Sequence, residues 1–286
     1  MKHAIVFTTF ILLFLMNACA KNQNDSSRLN SWNENPLARE LYRPDIGAIM
    51  NPPPSHGNCQ IGQTWDFRTY QKNGIRYLYR PLEQPKNLIV FFHGNSGSAC
   101  EYTAFFGSKK IFDDSMIILM EYPGYAGDTS DINQDTLTAN SLSALESIRL
   151  AYPDLPLTIW GYSFGTGLAS YVSSKGFGDK LILIAPFDSM LSVLRDQRPE
   201  LLSLATDFSI GHEYDTSAWI GDIKAETLIV ASRQDEIIPV SHSLAARELF
   251  HSNVKVEILR QGNHQDIMHR SQKTLRFVGD FIFRSR

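Results

Sequence analysis

The chain has little of what cofactor, metal and nucleic-acid chemistry demand. No pair or triplet of histidine, cysteine and carboxylate stands at metal-ligand spacing, and neither a dinucleotide fingerprint nor a phosphate loop occurs. The sequence therefore calls for no metal and no cofactor. Charge of one sign is also missing. With 27 Lys+Arg against 30 Asp+Glu the net charge is -3, and no basic patch interleaves with aromatics. That argues against a nucleic-acid partner or an acidic lipid surface. Self-similarity at solenoid periods is absent as well. Cysteine is scarce, with 3 in 286 residues at positions 19, 59 and 100.

A membrane-length apolar run is also lacking. The run from Ala4 to Met16, interrupted by Thr8 and Thr9, falls short of the about 20 residues a spanning helix needs and suits the core of a signal peptide. It ends in "MNACAKNQND", similar to a bacterial lipoprotein signal in which the cysteine is lipidated and becomes the first mature residue. On that reading residues 1–18 are removed and a lipid on Cys19 ties the protein to the membrane. Ordinary secretion and an uncleaved anchor are the alternatives. Ala20 and Lys21 do not resemble an acidic inner-membrane retention signal, which favours the periplasmic face of the outer membrane. Residues 19–59 read as a polar tether followed by the proline-stiffened "NPPPSHGN". After processing, Cys59 and Cys100 either pair in an oxidising compartment or remain two unrelated thiols.

What is abundant is alternation. Hydrophobic content is 43% and charged content 20%, as in an ordinary globular protein. "IGQTWDFRTY" and "GIRYLYRP" flank Asn73-Gly74, a hairpin signal. "NLIVFFHGN", "SMIILMEYPG", "LTIWGYSF", "KLILIAPF", "TLIVASRQD" and "VKVEILRQGNH" read as strands, most of them buried on both faces of a parallel sheet. Between them, helices are expected over 99–109, 131–151, 163–175 and 241–250, and from 265 to the C-terminus; Leu137, Leu142, Leu145 and Ile148 mark the helical period of the second. The pattern predicts an α/β fold over residues 60–286: a mostly parallel sheet of about eight strands with helices on both faces. Leu191 to Glu226 stand where a short lid belongs.

Each buried strand runs into a polar loop, and in an open parallel sheet those loops share one edge. "GYSFG" puts Ser163 between Gly161 and Gly165 where a strand gives way to a helix. That context makes G-x-S-x-G a nucleophile elbow, with the hydroxyl raised and a helix N-terminus behind it. A serine hydroxyl needs a base and the base an acid. Ser163, Asp235 and His264 follow in the order nucleophile, acid, base. Asp188 after "KLILIAPF" is a rival for the acid, although it is also well placed to cap the helix starting at "SMLSVL". His93, Ser96, Ser98 and Tyr162 read as structural or pocket-lining, His93 as a residue that orients its loop through hydrogen bonds.

Together "FFHGNSGS", "EYPGYAGD", "GYSFGTG", "SRQDEIIP" and "GNHQD" resemble α/β-hydrolases of the serine-hydrolase type, in the branch that includes the BEM46-like and ABHD17-like proteins. The resemblance covers nearly all of residues 60–286. It implies Ser163 as nucleophile, Asp235 as acid, His264 as base, and the N–H groups of Asn95 and Phe164 as oxyanion hole. Glu121 and Pro123 depart from the aspartate and arginine that family members often carry. The function expected is a serine hydrolase cleaving a carboxylic ester or thioester on a small-molecule or acyl substrate. A peptidase or amidase on the same fold and a non-catalytic binding lipoprotein are the alternatives.

Overall fold

A computed structural model describes residues 68–72, 75–126, 128, 130, 132–199, 213–251 and 253–283. The expected signal peptide, Cys19, the tether, Cys59 and the Asn73-Gly74 turn lie outside the described residues. Cys100 is disulfide-bonded.

Among the described residues eight strands form one sheet in the order β1-β2-β4-β3-β5-β6-β7-β8. β1 (Arg68–Lys72) and β2 (Ile75–Arg80) form an antiparallel pair, Lys72 opposite Ile75, and β2 runs antiparallel to β4 (Ser115–Glu121). From β4 onward neighbours are parallel: β3 (Asn87–Phe92), β5 (Leu157–Tyr162), β6 (Lys180–Ile184), β7 (Glu226–Ser232) and β8 (Val254–Leu259). The period of two in a strand splits each apolar run between two cores. Leu88, Val90 and Phe92 of β3 enter one, with Leu157 and Ile159 of β5. Ile89, Phe91 and Trp160 enter the other. This is why these strands lack polar alternation: neither face sees water.

Helices cover both faces: α1 (Thr103–Gly107), α2 (Gln134–Ala151), α3 (Gly165–Ser174), α4 (Met190–Gln197), α5 (Ser217–Ile220), α6 (Val240–Glu248), α7 (His264–His269) and α8 (Gln272–Phe283). α2 begins at Asn133, whose side chain accepts from Thr136 N at 2.8 Å, and it buries Leu137, Leu145 and Ile148. Two expectations about helices need correction. The helix expected over 99–109 is a 3-10 turn at Ala99–Tyr102, the short α1, and a second 3-10 turn at Lys110–Phe112. The helix expected from 265 is two, α7 and α8; Ser271 restarts the chain, its Oγ accepting from Thr274 N at 3.1 Å. In the lid region α4 and α5 are the described helices.

Candidate active site

The end of β5 is where the sheet feeds the site. Ser163 N donates to Ile184 O at 2.8 Å, extending the ladder with β6 by one bond before the chain turns into α3. The turn is sharp because Ser163 adopts φ 53, a left-handed conformation costing a non-glycine residue about 1–2 kcal/mol. The two flanking glycines are steric requirements. A Cβ on Gly161 would lie 2.6 Å from Gly165 O and Thr166 Cα, and one on Gly165 would lie 2.2 Å from Phe92 O and 2.6 Å from His93 O. Both obstacles are backbone, which cannot swing aside.

The strained serine meets a histidine. Ser163 Oγ lies 2.8 Å from His264 Nε2, and His264 Nδ1 lies 2.8 and 3.0 Å from the two Asp235 oxygens. All three residues are buried. Asp235 Oδ1 also accepts from Ile237 N (3.0 Å) and Ile238 N (2.8 Å), which fixes the carboxylate to the loop after β7. A carboxylate so engaged is an acceptor, so the imidazole hydrogen sits on Nδ1 and the Nε2 lone pair faces the serine hydroxyl.

The histidine loop is tied down at several points. Ser232 Oγ donates to Gly262 O at 2.6 Å, Gly262 N donates to Gln234 Oε1 at 3.2 Å, and His264 N donates to Glu236 Oε2 at 3.3 Å. Gly262, at φ 111, supplies the bend before α7. Tyr162 stacks on the His264 ring, centroids 5.3 Å apart, and donates its phenol to His264 O at 3.1 Å. Burial, with Asp235 and Glu236 nearby, pushes that phenol pKa up and keeps it a donor. His269 lies edge-on to Tyr162; burial, then Arg270 and His264, lower its pKa, so it favours the neutral ring.

The loop after β3 passes in front of Ser163. A Cβ on Gly94 would touch Ser163 Cβ at 3.5 Å. Asn95 is held through its carbonyl by Tyr125 Oη at 2.9 Å, and His93 through its carbonyl by Tyr122 Oη at 2.8 Å. Phe164, next to the serine, is the N-cap of α3 with helical φ and ψ, and its ring meets Tyr214 and Tyr122 edge-on. Of the expected oxyanion residues, Phe164 follows the serine directly and Asn95 follows Gly94, the residue of the β3 loop that approaches Ser163.

Asp188, the rival carboxylate, goes elsewhere. Its Oδ1 accepts from Ser192 Oγ at 2.6 Å and faces His242 Nδ1 at 2.9 Å. The cap of α4 is Ser189, whose Oγ accepts from Ser192 N at 3.1 Å, so the expectation that Asp188 caps this helix is corrected by one residue. Extended backbone at Ser189 aims its own short side chain at the first helical turn.

No family model matches the chain. Among curated proteins it is 22% identical over 203 residues to the alpha/beta hydrolase domain-containing protein aho-3 of Caenorhabditis elegans, covering 70% of this chain and 59% of that one. It is 23% identical over 203 residues to the human alpha/beta hydrolase domain-containing protein 17B, covering 70% and 68%. Among solved structures it is similar to a protein of Thermoplasma acidophilum described as a predicted CIB-like hydrolase (TM-score 0.55, 18% identity, 76% of this chain and 97% of that one). The acylaminoacyl peptidase of Pyrococcus horikoshii is also similar (TM-score 0.59, 16% identity, 78% and 42%).

The chain has the α/β-hydrolase fold. In that fold the elbow after β5, the loop after β7 and the loop after β8 converge, and here they carry Ser163, Asp235 and His264. Sequence reasoning did not single out Gln234, Glu236, Glu121 or Tyr125 as supports of the site. Gln234 and Glu236 flank Asp235 in the "SRQDEIIP" motif itself, a signal that was available. Among the described residues no group of three or more His, Cys, Asp or Glu could hold a metal ion.

Proposed function

We propose that the protein is a serine hydrolase that cleaves a carboxylic ester or thioester through an acyl-enzyme. The observation that carries this reading is the hydrogen-bonded line from Asp235 through His264 to a serine held at positive φ. Ser163 Oγ attacks the acyl carbon while its proton passes to His264 Nε2, and Asp235 stabilises the imidazolium without taking the proton. Negative charge gathers on the acyl oxygen, where the N–H groups of Asn95 and Phe164 receive it. Collapse expels the alcohol or thiol, which takes the proton from His264. Water then enters, His264 removes its proton, and the same steps in reverse release the acid and restore Ser163. The two serine-bound steps share one base and one oxyanion site.

The test is turnover of a series of p-nitrophenyl esters by purified protein, with a matched thioester and a matched anilide. Esters or thioesters turned over far faster than the anilide support the reading; anilide cleaved at an equal rate makes the protein an amidase. A protein that turns over none of them and takes no fluorophosphonate is a binding protein on a hydrolase fold. We further propose that a lipid on Cys19 holds the enzyme at the periplasmic face of the membrane. Cys19→Ser then moves the protein from the detergent phase of a Triton X-114 partition to the aqueous phase, or leaves it unprocessed; a native protein already in the aqueous phase contradicts the anchor.

A further inference from the structure

We propose that Glu121 and His93 form an ion pair that aims the Asn95 N–H at the oxyanion, which makes Glu121 a positioning residue for the reaction; the inference rests on the serine-hydrolase reading above. The peptide that carries the Asn95 N–H also carries the Gly94 carbonyl, and in a trans peptide the two point in opposite directions. No cis peptide occurs among the described residues. Whatever holds Gly94 O therefore sets the direction of Asn95 N–H. Gly94 O lies 2.7 Å from His93 Nδ1 and also accepts from Gly97 N at 3.4 Å. A carbonyl can only accept, so Nδ1 carries a hydrogen.

The second ring nitrogen decides the charge. His93 Nε2 lies 3.2 Å from Glu121 Oε1, with the His93 side chain fully buried and the Glu121 side chain 9% exposed. With Nδ1 already donating, a neutral ring would set a lone pair against a carboxylate. The imidazolium instead donates from both nitrogens, one bond to Glu121 and one to Gly94. The surroundings suit a cation. Tyr122 stacks on the His93 ring with centroids 4.0 Å apart, Tyr102 lies nearly parallel at 6.4 Å, and Tyr125 stands edge-on at 5.5 Å. Burial raises the Glu101 pKa, while His93 opposes the rise and Glu121 adds to it.

Glu121 fixes more than the ring. Its Oε1 also accepts from Tyr122 N at 3.2 Å, and its Oε2 accepts from Ala99 N at 3.1 Å. One carboxylate thus ties the end of β4 to both ends of the loop that carries Asn95. The alignment is complete before any substrate arrives, which is what makes an oxyanion donor effective.

The experiment pairs kinetics with a spectrum that needs no turnover. Long-range 1H–15N spectra of the native protein near neutral pH should show both His93 nitrogens protonated, and Glu121→Gln should leave one protonated. With an activated ester, Glu121→Gln should lower kcat by about 10²-fold, the loss typical of one oxyanion donor, with KM changed by less than about threefold. An alkylboronic acid, which mimics the tetrahedral adduct, should bind weaker by a similar factor, and Glu121→Asp should recover part of kcat. A native His93 with one bare nitrogen overturns the proposal. So does a folded Glu121→Gln variant whose kcat is unchanged or whose loss is all in KM. If Glu121→Gln does not fold, the native spectrum alone decides. Failure of the hydrolase reading looks different: the native protein then turns over no ester and takes no fluorophosphonate, whatever the His93 spectrum shows.

Discussion

Among the described residues two groupings of serine, histidine and aspartate stand close together, and they differ in the order of their hydrogen bonds. In the first, Ser163 Oγ meets His264 Nε2 at 2.8 Å and Asp235 holds the opposite nitrogen. In the second, Ser192 donates to Asp188 at 2.6 Å, and the same carboxylate oxygen faces His242 Nδ1. His242 Nε2 then lies 3.2 Å from another carboxylate, Asp196, rather than from a hydroxyl. Ser192 Oγ also lies 3.3 Å from His242 Nδ1, but that nitrogen is closer to Asp188 Oδ1 at 2.9 Å, so both the hydroxyl and the ring nitrogen turn to one carboxylate oxygen. The backbones differ as well. Ser163 is held at φ 53 between glycines that backbone atoms crowd, whereas Ser192 sits in the first turn of α4, where its Oγ also meets Ser189 O at 2.9 Å. The second grouping links α4 to α6 and works as a fastening. Residue type and proximity are the same in both; on the proposed reading, the order of hydrogen bonds separates a nucleophile from a clasp.

The largest contrast between the two should come from the serines. Ser163→Ala is expected to lower ester turnover by a factor on the order of 10⁵ or more while the protein stays folded, because the buried hydroxyl is small and its partner His264 remains held. Ser192→Ala should keep turnover within about threefold. Rates for both variants with one activated ester check this, and a live Ser163→Ala breaks the comparison.

The aspartates give the next contrast. Asp235→Asn should lower kcat by about 10⁴, because an amide at this position favours the histidine tautomer with its hydrogen on the wrong nitrogen. Asp188→Asn should leave kcat nearly unchanged and cost about 1 kcal/mol of stability, or roughly 2–4 °C in Tm. Circular dichroism melts beside the kinetic assays separate the two effects.

This contrast also marks how far the sequence could be read. The sheet was legible because each buried strand is a continuous apolar run, and the elbow because Gly161, Ser163 and Gly165 sit at a strand-to-helix seam. Chain order fits Asp188 as well as Asp235, and only the resemblance and the cap-like place of Asp188 favoured Asp235; the role of Asp188 depends on His242, 54 residues away, which no local pattern announces. Glu121 read as a departure from a motif; its bonds to His93 and Ala99 appear only when β4 lies beside β3. The helix after His264 read as continuous because Ser271 is a cap whose effect depends on backbone geometry, not on hydrophobic period.

The smallest effects concern acid. Burial raises the Asp188 pKa, but hydrogen bonds from Ser192 and His242 outweigh it and hold the carboxyl below the usual range. A lowered aspartate adds stability above its ordinary value near 3.9 and loses it as pH falls through the lower one. Beside the first grouping, His269 is lowered by burial, then by Arg270 and His264. Below about pH 6.5 the unfolded chain takes up a proton that the folded chain resists, so stability falls there as pH drops. Acid loosening near the catalytic group therefore begins at higher pH than at the clasp. His269→Gln should flatten the Tm difference between pH 7.5 and 5.5, whereas Asp188→Asn should leave that difference unchanged. The reverse pattern would exchange the two assignments.

The most direct test of the central claim, that hydrogen-bond order singles out one serine, is fluorophosphonate labelling of the native protein followed by peptide mapping. The account predicts a stoichiometric adduct on Ser163, none on Ser192, and loss of labelling in His264→Ala. An adduct on Ser192, or ester turnover that persists with Ser163 unlabelled, would contradict it.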